Sequence, residues 1–436
     1  MSNEAAELVL ACELLPKPSL TSAQYRTWFS IWVVYGSFYL CRVNIGPVRK
    51  AIQGELLITP LEMGFVLGAL KIGYALGQLI NGQIVERFGA KRVLIAAIFG
   101  SVASSLFFSL IPDAHLFRIG SLGTLPSQLM IFWFINGYFQ AGGWPACVKI
   151  VSRWFTTVQR GRVMGVVGTS YQIGSAVTLL GSGWLLSYVG NWRASFWVPS
   201  ILFGLVGLFA LWSIRSAPVD GDVREGRLTI PPPKLPWADT LTTTLTNPAV
   251  WLLALGLFGL AIVRYGFYDW VPGQLQELQG TSPALSALKV AVFPLSGAFG
   301  SLASNWVSDR YFGGRRAPAI ALFIGFVAIF SFVYGYVLPF GTVATVICLA
   351  GVGFFVNGAQ ILLAGTAAQD LARKETAAAA AGFIDFFGYL GAFFGDVVTG
   401  WILTKGSYGT ATLFWAGAAT IAALCVLPLW RARANS

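Results

Sequence analysis

Two arginines stand where an apolar chain is least able to hold a charge. Arg264 lies inside the stretch from Asn247 to Pro272, NPAVWLLALGLFGLAIVRYGFYDWVP, a run long enough to cross a bilayer. Arg42 lies about fifteen residues into the first apolar segment, roughly 22 Å along a helix. A guanidinium does not deprotonate in a protein, and at mid-membrane it costs roughly 2.5–3.5 kcal/mol on an insertion scale. The group that best compensates a planar five-donor cation is a phosphate or a carboxylate. Either arginine could instead pair with an intramembrane acid, Asp269, Asp385 or Asp396. Intramembrane charges usually mark pathways, so Arg42 and Arg264 are read as a substrate site.

Neighbouring residues share their helix faces. Tyr35, Tyr39 and Arg42 fall at i, i+4 and i+7, so the two tyrosines lie on the arginine's face. Lys71, Tyr74 and Gln78 fall at i, i+3 and i+7 and share another. Lys71 either contacts substrate or pairs with an acid of the eleventh helix. Asp269, near the outer end of its helix, is read as one side of an ion pair that breaks as the protein changes state. Asp385 and Asp396 lie three turns apart on one helix and could carry protons or pair statically. Tyr171 and Gln172 are weaker candidates. The small residues Gly165, Gly168, Gly174, Gly181 and Gly183 read as helix-packing points.

Composition sets the medium. The 436 residues are 56% hydrophobic and 11% charged, whereas soluble domains carry about 25% charged residues. The chain is an integral membrane protein, and its net charge of +11 reflects basic loops rather than nucleic-acid binding. The one histidine, His115, falls in a loop, so a histidine relay within the membrane is excluded. Cys12, Cys41, Cys147, Cys348 and Cys425 show no paired spacing, so no disulfide framework, metal site or cofactor is expected. No catalytic group is expected either, and an enzyme is the least favoured class.

Twelve apolar segments of helical length follow one another, which places both termini on one side. Loops on that side hold twenty basic residues and the opposite loops six, Arg49, Lys50 and Lys289 among them. The basic side is cytoplasmic by the positive-inside rule. The stretch 215–246, with Pro231-Pro232-Pro233, is the only long polar interruption. The expected organisation is a cytoplasmic tail (1–26), a six-helix half (27–214), a cytoplasmic linker (215–246), a second half (247–430) and a short tail (431–436). The expected fold is thus an all-α membrane protein of twelve transmembrane helices in two pseudo-symmetric halves.

An internal repeat supports the division. Gly82 to Arg92 (GQIVERFGAKR) follows the second helix, and a diverged copy, Asn305 to Arg316, follows the eighth. Glu86 and Asp309 are 223 residues apart; Arg42 and Arg264 are 222 apart. The arginines therefore hold equivalent places in two parallel repeats, the pattern of transporters with a midplane site.

Gly82–Arg92 resembles the loop signature of the major facilitator superfamily. That resemblance implies a latch between the halves, built from Glu86, Arg87 and Arg92 and from Asp309 and Arg310. Within the superfamily the chain resembles the organophosphate:phosphate antiporters. The likeness rests on Asn136-Gly137 with Gln140 to Cys147 in the fourth helix, Arg264-Tyr265-Gly266 with Asp269-Trp270, and Phe387 to Gly391. It implies that Arg42 and Arg264 grip a phosphate from opposite halves, with Tyr35, Tyr39, Tyr74 and Tyr389 around it. Some positions depart from the pattern. Gln78 stands where the family has a lysine, Tyr171 where it has a histidine, Pro294 where it has a glutamate and Asn357 where it has a tyrosine. Lys71, two turns further out, is the candidate replacement for the missing lysine, and Gln78 and Asn357 are kept as candidate contacts.

The resemblance implies a monomeric carrier in the plasma (bacterial inner) membrane. It would move a small phosphate ester in exchange for inorganic phosphate, by alternating access. Two alternatives stay open. The run Arg42-Val43-Asn44-Ile45 also looks like that of anion:cation symporters, which carry organic anions with protons. The other alternative is a membrane sensor of sugar phosphate, which would bind its ligand without flux.

Overall fold

The computed structural model describes residues 20–114, 124–219, 237–373 and 376–432. Every regular element among them is helical. Ten helices are long and apolar enough to cross a bilayer. The first and fourth spans complete the set of twelve but are broken. The first comprises Ser22–Ser37, a tight 3-10 turn Phe38–Cys41, and Ile45–Leu56. The fourth comprises Leu125–Gln140 and Gly143–Trp154.

Helix starts follow one local rule. Thr59-Pro60, Asn247-Pro248 and Ser282-Pro283 each place a capping side chain before a proline at the first helical position. The cap satisfies a free amide, and proline has none to satisfy. Thr59 forms a full capping box with Glu62.

The second span (Pro60–Phe88) packs on the fourth, the third (Ala90–Ala114) on the sixth (Ala194–Ser213), and the first on the fifth (Thr157–Val189). The same pairs recur six spans later: eighth (Pro283–Phe312) on tenth (Thr342–Thr366), ninth (Arg316–Phe340) on twelfth (Tyr408–Arg431), and seventh (Pro248–Leu278) on eleventh (Ala377–Lys405). Between the two sets, the second span meets the eleventh and the fifth meets the eighth.

The two sets close on each other at one end. A Cβ on Gly64 would sit 2.6 Å from the Asp396 carbonyl oxygen, and one on Gly400 would sit 2.4 Å from that of Pro60. Only glycine lets these backbones approach so closely. At the same end Gln276 donates to the Pro47 carbonyl at 2.9 Å, and the Ala284 amide donates to Ser187 at 2.9 Å. The polar bridge nearest the opposite end is Gln172 to Ser301, at 3.1 Å. Leu20 and Ala432, the first and last described residues, lie at that opposite end, which is called the terminal end below; the other is the sealed end.

Two boundaries correct the sequence expectation. The first span runs on to Leu56, so Arg49, counted with the outer loops, is only 2% exposed. Lys289, also counted there, is buried and donates to Gln279 at 2.7 Å. The linker residues 220–236, His115 and the tail residues 1–19 and 433–436 lie outside the described residues.

Gly64→Leu should hold the second and eleventh spans apart and open the sealed end. Electron-electron distances between spin labels at Leu57 and Lys405 are expected to lengthen by several ångströms relative to the parent protein.

Candidate functional site

Pro47 creates the first half of the site. It has no amide hydrogen, and its ring excludes the carbonyl four residues back, so a regular helix cannot pass Val43. Arg42 is left between the Phe38–Cys41 turn and the next helix, at φ −124° and ψ −48°. Carbonyls released by the break need donors. Asn136 Nδ2 donates to the Cys41 carbonyl at 2.7 Å, and Gln140 Nε2 to that of Phe38 at 3.0 Å. The oxygen of the same Gln140 amide accepts from Arg42 Nε at 3.0 Å and Nη2 at 2.9 Å. One amide thus fixes both the broken turn and the guanidinium. Arg42 is 4% exposed and lies 4.6 Å from the ring centres of both Tyr39 and Tyr74.

Arg264 ends the regular part of the seventh span, just before a π-helical turn, Gly266–Trp270. Such turns often sit at functional sites, because the extra residue re-aims the side chains around it. Arg264 is 6% exposed and lies 5.6 Å from the ring centre of Tyr265, 5.7 Å from Tyr268 and 6.0 Å from Tyr171. Unlike Arg42, it has no hydrogen bond or ion pair among the described residues, and its Nε is buried without an acceptor. It lines a small recess of about 20 Å³ together with Tyr265, Gln360, Asp385 and Tyr389. Gln360 follows Gln140 by 220 residues, so the second half carries its own amide near its own arginine. The Gln360 oxygen is likewise unpartnered.

Tyrosine rings connect the two cations. Tyr74 stacks on Tyr389 at 4.1 Å, and Tyr389 lies 6.3 Å from Tyr265. On the other flank Tyr39 stacks on Tyr171 at 5.7 Å. The rings present π-faces to the guanidinium groups and hydroxyls to whatever lies between them. Tyr35 stands one layer back, 4.8 Å from Trp144 and within electrostatic reach of Arg42. Two guanidinium groups and several tyrosine hydroxyls are the donors an anion would need.

A second charged group closes the sealed end. Lys71 Nζ lies 2.6 Å from Asp269 Oδ2 and 3.0 Å from Asp396 Oδ2, with all three side chains at most 3% exposed. Trp270 Nε1 donates to the other Asp396 oxygen at 3.1 Å. The three charges come from the second, seventh and eleventh spans and so tie the halves together. One turn further out, Arg49 lies 4.5 Å from the Trp270 ring centre and donates to the Trp270 carbonyl at 3.4 Å and the Tyr408 hydroxyl at 3.3 Å.

The other candidates make no hydrogen bond or ion pair to Arg42 or Arg264 among the described residues. Gln78 is half-buried and makes no hydrogen bond among the described residues. Asn357 turns its amide to its own helix at Gly353, 2.9 Å away, and packs against Gly297. Glu86 accepts from Lys149 of its own half at 2.7 Å through each of its oxygens. Asp309 pairs with Arg316 at 2.7 Å, and Arg316 also meets Asp370 at 3.1 Å. Both acids of the expected latch thus meet a base of their own half. Arg87 lies over Phe88, and Arg92 and Arg310 point into solvent. Asp385 stands in the arginine recess rather than beside Asp396 and Lys71.

Removing the ammonium leaves two buried carboxylates facing each other. Lys71→Met should destabilise the protein by about 3–5 kcal/mol. Adding Asp269→Asn and Asp396→Asn should recover most of that loss, as read by thermal unfolding in detergent.

Comparison with known proteins bears on the chain as a whole. The Major Facilitator Superfamily profile matches residues 28–396. The glycerol-3-phosphate transporter of Bacillus subtilis is 30% identical over 87% of this chain and 86% of its own. The membrane sensor protein UhpC of Escherichia coli is 27% identical over 94% of each chain. A probable hexose phosphate transport protein of Chlamydia muridarum is 26% identical over 96% of this chain and 94% of its own. Among solved structures, an inward-facing bacterial homologue of the human lysosomal transporter Spinster superposes with a TM-score of 0.72 at 17% identity, covering 94% of this chain and 96% of that one.

Proposed function

The chain belongs to the Major Facilitator Superfamily and, within it, to the organophosphate:phosphate antiporters; from that premise we propose what it carries and how. It is a secondary active transporter of a small phosphorylated organic anion, of the sugar-phosphate or glycerol-phosphate class, exchanged for inorganic phosphate. The observation that carries this reading is the pair of buried guanidinium groups, one from each half, with the donors of Arg264 unused. A phosphoryl group offers enough acceptor oxygens to bond both at once.

The protein works as a monomer in the bacterial inner membrane. The basic terminal end faces the cytoplasm, so the sealed end faces outward and the state described is inward-facing. Phosphate arriving from the cytoplasm meets Arg264 first. It then competes with Gln140 for Arg42 and draws the terminal ends of the halves together.

Opening the other side requires Lys71 to leave Asp269 and Asp396, and Arg49 to leave Trp270. Only an anion bonded to both arginines offsets that loss, so the empty carrier stays put and transport is exchange. Two observations keep second readings in play. The buried cluster holds two carboxylates against one ammonium, which suits proton coupling. A sensor also stands among the relatives. Dependence of flux on a pH gradient would favour the first, and binding without flux the second.

Proteoliposomes loaded with phosphate should take up labelled phosphate. Arg264→Ala, which removes charge-assisted hydrogen bonds of roughly 1.5–3 kcal/mol each, should lower the exchange rate at a fixed low phosphate concentration by about 100-fold. Active, correctly folded wild-type protein without exchange would contradict the reading.

A further inference from the structure

Of the acids set deep within the spans, Asp269, Asp385 and Asp396, two are used. Asp269 and Asp396 share Lys71. Asp385 has no hydrogen bond and no ion pair among the described residues, and it is partly open to the recess it shares with Arg264. A carboxylate so close to an anion site opposes the binding of any simple anion. The tyrosines of the recess offer it no charge, and the cation of its own half, Arg264, belongs to the phosphate in the reading above. A dianionic phosphoryl group on Arg42 and Arg264 would leave Asp385 as the one uncompensated charge of the closed cavity.

The rest of the wall narrows what can answer that charge. Beside Arg264 the recess is walled by Leu257, Leu260, Ala261 and Gly388, with Gln360 the only amide. A sugar ring presents hydroxyls on every side, and most would meet aliphatic surface here. A short carbon chain with one charged end fits better. Its methylenes lie on the leucines, and its cation meets the carboxylate, with the faces of Tyr265 and Tyr389 nearby.

We propose that Asp385 holds the cationic end of a zwitterionic substrate, an aminoalkyl phosphate or phosphonate whose phosphoryl group lies on Arg42 and Arg264. The proposal rests on the phosphate-exchange reading and replaces its sugar- or glycerol-phosphate class with a zwitterionic one. Phosphoryl recognition stays with the arginines, and Asp385 discriminates between esters of similar size by the charge at the far end. Glycerol 3-phosphate and O-phosphoethanolamine carry the same phosphomonoester group; one ends in hydroxyls and the other in an ammonium.

The test measures how strongly each ester inhibits labelled-phosphate exchange in proteoliposomes, for wild type, Asp385→Asn and Asp385→Glu. The readout is the ratio of the two half-inhibitory concentrations, in which any general loss of activity cancels. Wild type is expected to respond to O-phosphoethanolamine at roughly tenfold lower concentration than to glycerol 3-phosphate, a difference of about 1.4 kcal/mol. Asp385→Asn should bring the ratio close to one, and Asp385→Glu should keep the preference. A wild-type ratio at or below one overturns the proposal even if the variants do not fold. A ratio unchanged in Asp385→Asn also overturns it, since Asp385 would then only offset the charge of Arg264. Absence of phosphate exchange in wild type would remove the underlying reading and the proposal with it, and is distinguishable because no inhibition could then be recorded.

Discussion

An ionised group in a low-dielectric interior must have a partner, and most of this structure is organised by where those partners are. Arg42 has Gln140 and two tyrosine faces. Lys71 has two carboxylates, and Arg49 has Trp270 and Tyr408. Arg264 alone among the buried arginines has rings but no hydrogen-bond acceptor. Arg264 shares its recess with Asp385, which also lacks a hydrogen bond among the described residues, and the paired charges lie around them or toward the sealed end. A protein that kept Arg264 only for stability would have supplied an acceptor, as it did for Arg42.

The same arrangement explains how binding can move helices. Beside scattered hydrogen bonds, the halves touch through glycine-mediated backbone approach at Gly64 and Gly400, the Lys71 cluster, and stacked tyrosines at mid-depth. The first two stabilise one closed end. The third spans the site, so an anion drawn onto both arginines acts on surfaces that belong to both halves. Ion pairs and close-packed backbones are either made or broken, which favours two discrete states over a continuum. A ligand then shifts the balance by its differential affinity for them.

Much of this was legible in the residues. Apolar lengths, loop charges and the 222-residue spacing of Arg42 and Arg264 require no knowledge of contacts. Tyr39 and Tyr74 were legible because helical spacing puts them on the faces of Arg42 and Lys71. The partner of Lys71 was open, since spacing along one helix does not say which acid on another helix it meets. Asn136 and Gln140 stood in a quoted motif without a role; polar amides one turn apart in an apolar helix were the signal, and the broken turn they serve was hidden. Arg49 was misplaced because Gly46-Pro47 reads as the end of a span, whereas the helix restarts there and runs to Leu56. Glu86 and Asp309 were legible as a motif, but only the folded arrangement reveals Lys149 and Arg316 beside them.

The claim on which everything else rests is that Arg42 and Arg264 bind one anion together. Calorimetric titration of inorganic phosphate into the purified protein, its Arg42→Gln and Arg264→Gln variants and the double variant tests it most directly. If one phosphate bridges both, each single change removes most of the affinity, the double change removes little more, and the cycle gives a coupling above about 1 kcal/mol. Losses that add within about 0.5 kcal/mol would mean two independent cations, and the account would fail.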